Sequence, residues 1–252
     1  MKYGTNYTIR YQDVDETKHL RWVALEEYLL EVAGTVADDL GFGIARLHPM
    51  GLTWILTHMS IEMTEMPRPN DHIYVETWIE QNAHMLSTRN FRIYIVESQK
   101  SKVESRRLIG RCKSVWAILD LEKREIANIF DHEMFDGCID GEVMTMARSS
   151  RMAALPEDAH EQPYTIRYSD LDYNRHCNSC KYLQALLDAY RPEGNTTRPM
   201  RLDIHYAREV HEGMLTTIRY AQDGDVTRYQ MLTEDGLTSC FAFLRPIDSL
   251  ES

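Results

Sequence analysis

Asp170, Asp172, Asn174, His176 and Asn178 stand at alternate positions of one polar segment. In an extended chain that period of two places all five side chains on one side. Asp172, Asn174 and His176 would then offer an orienting carboxylate, an amide donor and a titratable imidazole. Asn178 and Ser179 are natural helix N-caps, so the amides of the next turn could face an oxyanion. The plainer alternative is that these residues only cap and turn the chain. Glu209, in Tyr206-Ala207-Arg208-Glu209-Val210-His211, is a candidate base, or else a solvated loop glutamate beside Arg208. His176, Cys177 and Cys180 invite two further readings. No second Cys/His pair lies at metal-ligand spacing, so no metal is expected. Adjacent residues such as His176 and Cys177 point apart in extended chain, which disfavours a thiolate–imidazole pair and leaves both cysteines as small core residues.

The segment exists twice. Tyr7-Thr8-Ile9-Arg10-Tyr11-Gln12-Asp13-Val14-Asp15 returns 157 residues later as Tyr164-Thr165-Ile166-Arg167-Tyr168-Ser169-Asp170-Leu171-Asp172, and His19 then matches His176. A period this long marks a duplicated domain, since solenoid units repeat at roughly 20–50 residues. The copies diverge where chemistry would sit. The first has Thr17 and Arg21 where the second has Asn174 and Asn178, and no carboxylate stands opposite Glu209 in Met66-Pro67-Arg68-Pro69-Asn70-Asp71. One copy is expected to react and the other to do different work.

Each copy must position these groups with the same elements. Leu25, Tyr28, Leu29, Val32, Val36 and Leu40 recur at helical spacing until Gly41 and Gly43, and Cys180, Leu183, Leu186, Leu187 and Tyr190 do so until Pro192. Four strands follow each helix: 51–63, 73–80, 88–96 and 108–120, then 201–207, 214–221, 226–233 and 238–244. Strand, buried helix and antiparallel sheet is the order of a hotdog fold. The expected class is α+β, a tandem hotdog in which each half wraps a long antiparallel sheet around a central helix. A first unit over 1–130, a linker over 131–160 and a second unit over 161–252 are expected.

Composition bounds the partners. With 39 acidic against 28 basic residues the formal charge is −11, so nucleic acid is not an expected partner and an anionic one must meet a local patch. Arg107, Arg111 and Lys113 share one parity on a strand and, with Arg106, Lys123 and Arg124, form the dense basic region. They read as a dock for an acidic partner, or as an ordinary solvated face. Five scattered cysteines and 13 methionines fit a reducing interior, and no long uncharged apolar run occurs, so a cytoplasmic protein without membrane insertion is expected.

Several segments, in order, resemble the acyl-acyl carrier protein (ACP) thioesterases, double-hotdog enzymes that end fatty acid synthesis in plants and have bacterial relatives. Leu52-Thr53-Trp54-Ile55-Leu56-Thr57-His58-Met59, Val75-Glu76-Thr77-Trp78-Ile79 and Ser114-Val115-Trp116-Ala117 look like the family's first-domain strands. Asp170 to Tyr182 resembles its Asp-x-Asn-x-His catalytic segment, and Tyr206-Ala207-Arg208-Glu209 the segment with its glutamate. The resemblance implies a catalytic set of Asp172, Asn174, His176 and Glu209, acylated ACP as substrate and no cofactor. Val210 departs from the plant pattern, which has a cysteine there, so a covalent thiol at that position is not needed.

Thioester hydrolysis needs a base for water, donors for the tetrahedral oxyanion and a slot for the acyl chain. Glu209 is the expected base with His176 orienting or assisting, although the split between the two stays open. Asn174 and an amide at the helix start are the expected oxyanion donors, with Asp172 fixing their geometry. Trp54, Met59, Met63 and Trp78, with Met50 and Phe42, are the expected acyl-binding residues. Arg107, Arg111 and Lys113 become the expected carrier-protein dock. Hydrolysis of acyl-CoA, 3-hydroxyacyl dehydration and non-catalytic acyl binding stay open as alternatives, as does a homodimer.

Overall fold

In the computed structural model, which describes residues 1–97, 105–135, 137–152 and 154–250, two long helices form where apolar residues recur at helical spacing. α1 (Trp22–Asp39) buries Trp22, Leu25, Leu29, Val32 and Val36. It ends where Gly41 takes a left-handed conformation, φ 80°, that glycine adopts at no steric cost. A single turn, α2 (Ile44–Leu47), follows. α3 (Ser179–Ala189) starts at Asn178, whose side chain accepts the Cys180 N–H at 2.9 Å and caps the helix.

The strands are β1 (Tyr3–Thr8), β2 (Leu52–Met63), β3 (His72–Asn82), β4 (Ser87–Glu97), β5 (Ser105–Asp120) and β6 (Glu125–Ala127) in the first half. The second has β7 (His160–Thr165), β8 (Met200–Tyr206), β9 (Leu215–Asp223), β10 (Val226–Thr233) and β11 (Thr238–Pro246). Each half repeats the same order, and the architecture is an α+β tandem hotdog. The halves do not keep separate sheets. β2 pairs antiparallel with β8, from His58↔His205 to Met63↔Met200, and joins them into one sheet ordered β1-β3-β4-β5-β2-β8-β11-β10-β9-β7. Leu29, Val32, Ile61, Leu186, Ile204 and Met231 belong to a single core cluster, so α1 and α3 share one interior against one concave face.

The segment between the halves is an ordered strap on the opposite face. Trp78 Nε1 donates to Glu142 O at 2.8 Å, Met144 N–H to Glu80 at 3.2 Å, and Arg201 to Ala147 O at 2.9 Å. Asp136 and Ala153, within the expected linker, lie outside the described residues. Beneath the strap, Arg201 bonds Glu62 at 2.6 Å across the seam of the halves and Asp203 of its own strand at 2.8 Å, and Arg111 reaches Glu62 at 2.7 Å. No described helix is long and apolar enough to cross a membrane.

Candidate active site

The polar segment of the second copy is a tight turn, not the extended run expected from its alternation. Tyr168–Asp170 forms a 3-10 turn, and Asp170 turns inward to accept from the Tyr164 hydroxyl at 2.9 Å. Asp172 Oδ1 then accepts the backbone N–H of Asn174 at 2.8 Å and of His176 at 3.1 Å. Arg175 closes the loop in a left-handed conformation, φ 64°. Asp172 therefore shapes the backbone under Asn174 and His176 and is not bonded to the imidazole.

Two contacts carry His176 to Glu209. His176 forms an antiparallel bridge with His211, and Cys177 N–H donates to Val210 O at 2.9 Å. On α3, the Tyr182 hydroxyl donates to Arg208 O at 3.0 Å and accepts the Val210 N–H at 3.2 Å, pinning the loop after β8 from both sides. His176 Nδ1 consequently faces Glu209 Oε1 at 3.4 Å, a little beyond the roughly 2.6–3.2 Å of a direct proton-transfer contact. The other oxygen of Glu209 is paired with Arg124, which reaches over from the turn after β5. Among the described residues no group accepts from Ser179 N–H, the first amide of α3, and Ser179 lines the same cavity as His176 and Asn174.

That cavity, about 460 Å³, runs from Glu209, His176 and Asn174 between α1 and the concave sheet face. Trp54 and Phe42 line it, as expected. Met59 and Met63 do not. Both are fully buried in the shared core, where their side chains fill space between the helices and the sheet. Trp78 is on the other face, under the strap, with Lys2 and Arg92 each 4.8 Å from its ring. Apolar character marked all three as buried, but it gave neither the face that Trp78 occupies nor which core positions, Met59 and Met63 among them, are packed solid instead of lining the cavity.

The basic strand is not an open dock. An extra residue at Ile109 breaks the register between β4 and β5, so Arg107 loses the parity of Arg111 and Lys113. Arg111 is 7% exposed against Glu62, and Lys113 is held by Glu80 at 2.9 Å. Arg107 is exposed but is paired with Glu65 and with Glu97. These three cations are committed to carboxylates of their own chain.

Sequence reading placed Arg124 in the basic region and not at Glu209, and gave His211 no role. His211 lies two residues after Glu209, the same side of an extended chain, and its ring centre is 4.8 Å from that of His176. Arg124 carried no such signal, being 85 residues from its carboxylate. The ligand atoms of His176, Glu209 and His211 lie within 4.8 Å of one another, close enough to gather on a cation. Arg124 on the same carboxylate opposes that use. Burial pushes the Cys177 thiol up to about 12 and Cys180 further, so neither supplies a thiolate near neutral pH.

The equivalent turn of the first copy is built alike and then filled. Asp15 Oδ1 accepts from Thr17 and His19 N–H at 2.8 and 3.3 Å, and Lys18 has φ 63°. There, however, Thr17 Oγ1 lies 3.0 Å from His19 Nδ1, and Thr196 from the second half donates to Asp15 at 2.7 Å. His19 faces hydroxyls of its own chain where His176 faces a carboxylate and a cavity.

Two family models match the chain: the acyl-ACP thioesterase N-terminal domain over residues 1–136 and the C-terminal domain over residues 153–241. A chloroplastic acyl-[acyl-carrier-protein] hydrolase of Cuphea viscosissima is 26% identical over 232 residues, 86% of this chain and 54% of the relative. The chain spans about half the length of such curated relatives. Among solved structures, an acyl-ACP thioesterase from Bacteroides thetaiotaomicron is 25% identical, with a TM-score of 0.77 over 97% of both chains. A 12:0-ACP thioesterase from Umbellularia californica shares the fold at 18% identity, with a TM-score of 0.82 over 98% of both chains.

Proposed function

The chain belongs to the acyl-ACP thioesterase family, and from that premise we propose that it hydrolyses the thioester of an acyl chain carried on acyl carrier protein, releasing the free fatty acid. The observation that carries the reading is one cavity with a His–carboxylate pair at its opening and apolar walls behind it. Glu209 has one oxygen paired with Arg124 and the other 3.4 Å from His176 Nδ1. That supports a proton on Nδ1 and a free Nε2. In this reading Nε2 takes a proton from water, the hydroxide adds to the thioester carbon, and Glu209 stabilises the imidazolium. Ser179 N–H, with the Asn174 amide, receives the oxyanion. Collapse of the tetrahedral species expels the thiolate, which takes the proton back from Nε2.

The thioester arm has a route to these groups. A surface depression lined by Arg124, Arg208, His211 and Met214 shares Glu209 and Ala207 with the cavity. Arg208 lines it beside Glu234 and Asp235, while Arg124 is paired with Glu209. The carrier protein is the proposed partner because the family's substrate is named for it. A reducing, cytoplasmic setting is proposed from five buried free cysteines.

Free-acid release from a panel of acyl-ACPs and acyl-CoAs tests the reading. Faster release from acyl-ACP is expected. Preference for CoA would reassign the carrier, and a trans-2-enoyl product from 3-hydroxyacyl substrates would reassign the reaction.

A further inference from the structure

The cavity behind the His–carboxylate pair changes character along its length. It is lined by Tyr206 on β8, Leu56 on β2 and Trp116 on β5, then by Arg89 and Ser87 on β4 and Asn82 at the end of β3. Those strands lie side by side in the order β8-β2-β5-β4-β3. Neighbouring strands are about 4.8 Å apart, so three steps from β8 to β4 span roughly 14 Å. An extended carbon chain advances about 1.2 Å per bond, the zigzag that gives 3.3–3.6 Å per three-bond residue. Some eleven or twelve bonds thus separate the reacting end from Arg89.

Arg89 is an unusual wall for an acyl slot. It is 5% exposed, and its guanidinium donates to Ala33 O of α1 at 3.1 Å. Among the described residues no carboxylate pairs with it. Burial without a counter-charge lowers its pKa to about 10. Asn82 Oδ1, also buried, has no hydrogen-bond partner among the described residues, and Ser87 is 4% exposed. Each methylene seated against the apolar wall is worth roughly fourfold in affinity. A methyl group pressed onto these three polar groups would strip their remaining solvation and return less than it costs.

We propose that Arg89, with Asn82 and Ser87, forms a charged floor to the acyl slot that sets chain length, favouring acyl groups of about ten to twelve carbons. The proposal rests on the acyl-thioester reading of this cavity. Arg89 is a specificity residue, placed to meet the far end of the chain and remote from the reacting atoms.

Arg89→Leu removes the charge and leaves an apolar side chain of smaller volume. The test compares kcat/KM on saturated acyl-ACPs of eight to eighteen carbons for the wild type and Arg89→Leu. The wild type should peak at about ten to twelve carbons, and the variant should raise the sixteen-to-ten-carbon ratio at least tenfold. Asn82→Leu, a milder change at the same floor, should move the ratio in the same direction and covers the case in which Arg89→Leu fails to fold. Free fatty acids of the same lengths, read as shifts in Tm, test the floor without any catalysis. In that assay the longest acids should stabilise Arg89→Leu more than the wild type. An unchanged ratio and unchanged fatty-acid shifts in folded variants would overturn the floor. Absent hydrolysis by the wild type would count against the hydrolase alone, because the binding shifts would still report the slot.

Discussion

At the scale of single residues, the proposed site divides its labour around one imidazole. Asp172 fixes the backbone on which His176 sits, Tyr182 fixes the loop that carries Glu209, and Arg124 holds the far oxygen of that carboxylate. If Nε2 of His176 takes the proton, removing the ring should be partly reversible by supplying another. His176→Gly should lose most turnover and regain some with added imidazole. Glu209→Gln keeps shape and removes the charge that steadies the imidazolium, so kcat should fall by roughly 10²–10⁴ and imidazole should not restore it. No rescue of His176→Gly by imidazole, with Glu209→Gln near normal, would remove the pair from the mechanism.

Most of the elements were legible in the sequence, because their signals are local. Leu25, Leu29, Val32 and Val36 give α1 its stripe, and β10 was bounded at Val226 and Thr233 by the alternation of its own residues. The polar turn was not legible as a turn. Alternating polar residues read as strand, whereas the two backbone N–H groups gathered by Asp172 and the left-handed Arg175 reverse the chain. Nor could periodicity assign Trp78 to the strap side or pair Arg111 with Glu62, since both depend on which distant segment covers that face. Glu26 is a further case: a charged residue in the middle of the apolar stripe of α1, fully buried, with one oxygen accepting from the Tyr206 hydroxyl at 2.8 Å. Burial pushes its carboxyl up to about 7 against the hydrogen bonds from Tyr206 and Ser179. Below about pH 4.5 the group is protonated folded or unfolded and costs nothing. Between 4.5 and 7 the unfolded chain ionises first, so stability falls as pH rises and then levels off. Glu26→Gln should therefore be more stable than the wild type at pH 8, by up to about 3 kcal/mol, with no such gain at pH 4.5. Urea melts at both values check this, and an equal difference at the two would contradict it.

At the scale of the whole molecule, duplication supplied two similar turns and one continuous sheet, and the second copy's turn opens onto the cavity while the first copy's is met by Thr17 and Thr196. The first half is not merely a pocket, since Arg124 comes from it to Glu209 and α1 forms a wall of the slot. The second half in turn closes the first half's turn with Thr196. The central claim is that hydrolysis occurs once per chain, at His176. It is tested most directly by kcat on one acyl-ACP for His176→Ala and His19→Ala, with the Tm of each. His176→Ala should nearly abolish free-acid release while melting normally, and His19→Ala should keep turnover close to that of the wild type. Loss of turnover in His19→Ala as deep as in His176→Ala, at an unchanged Tm, would contradict the one-site account.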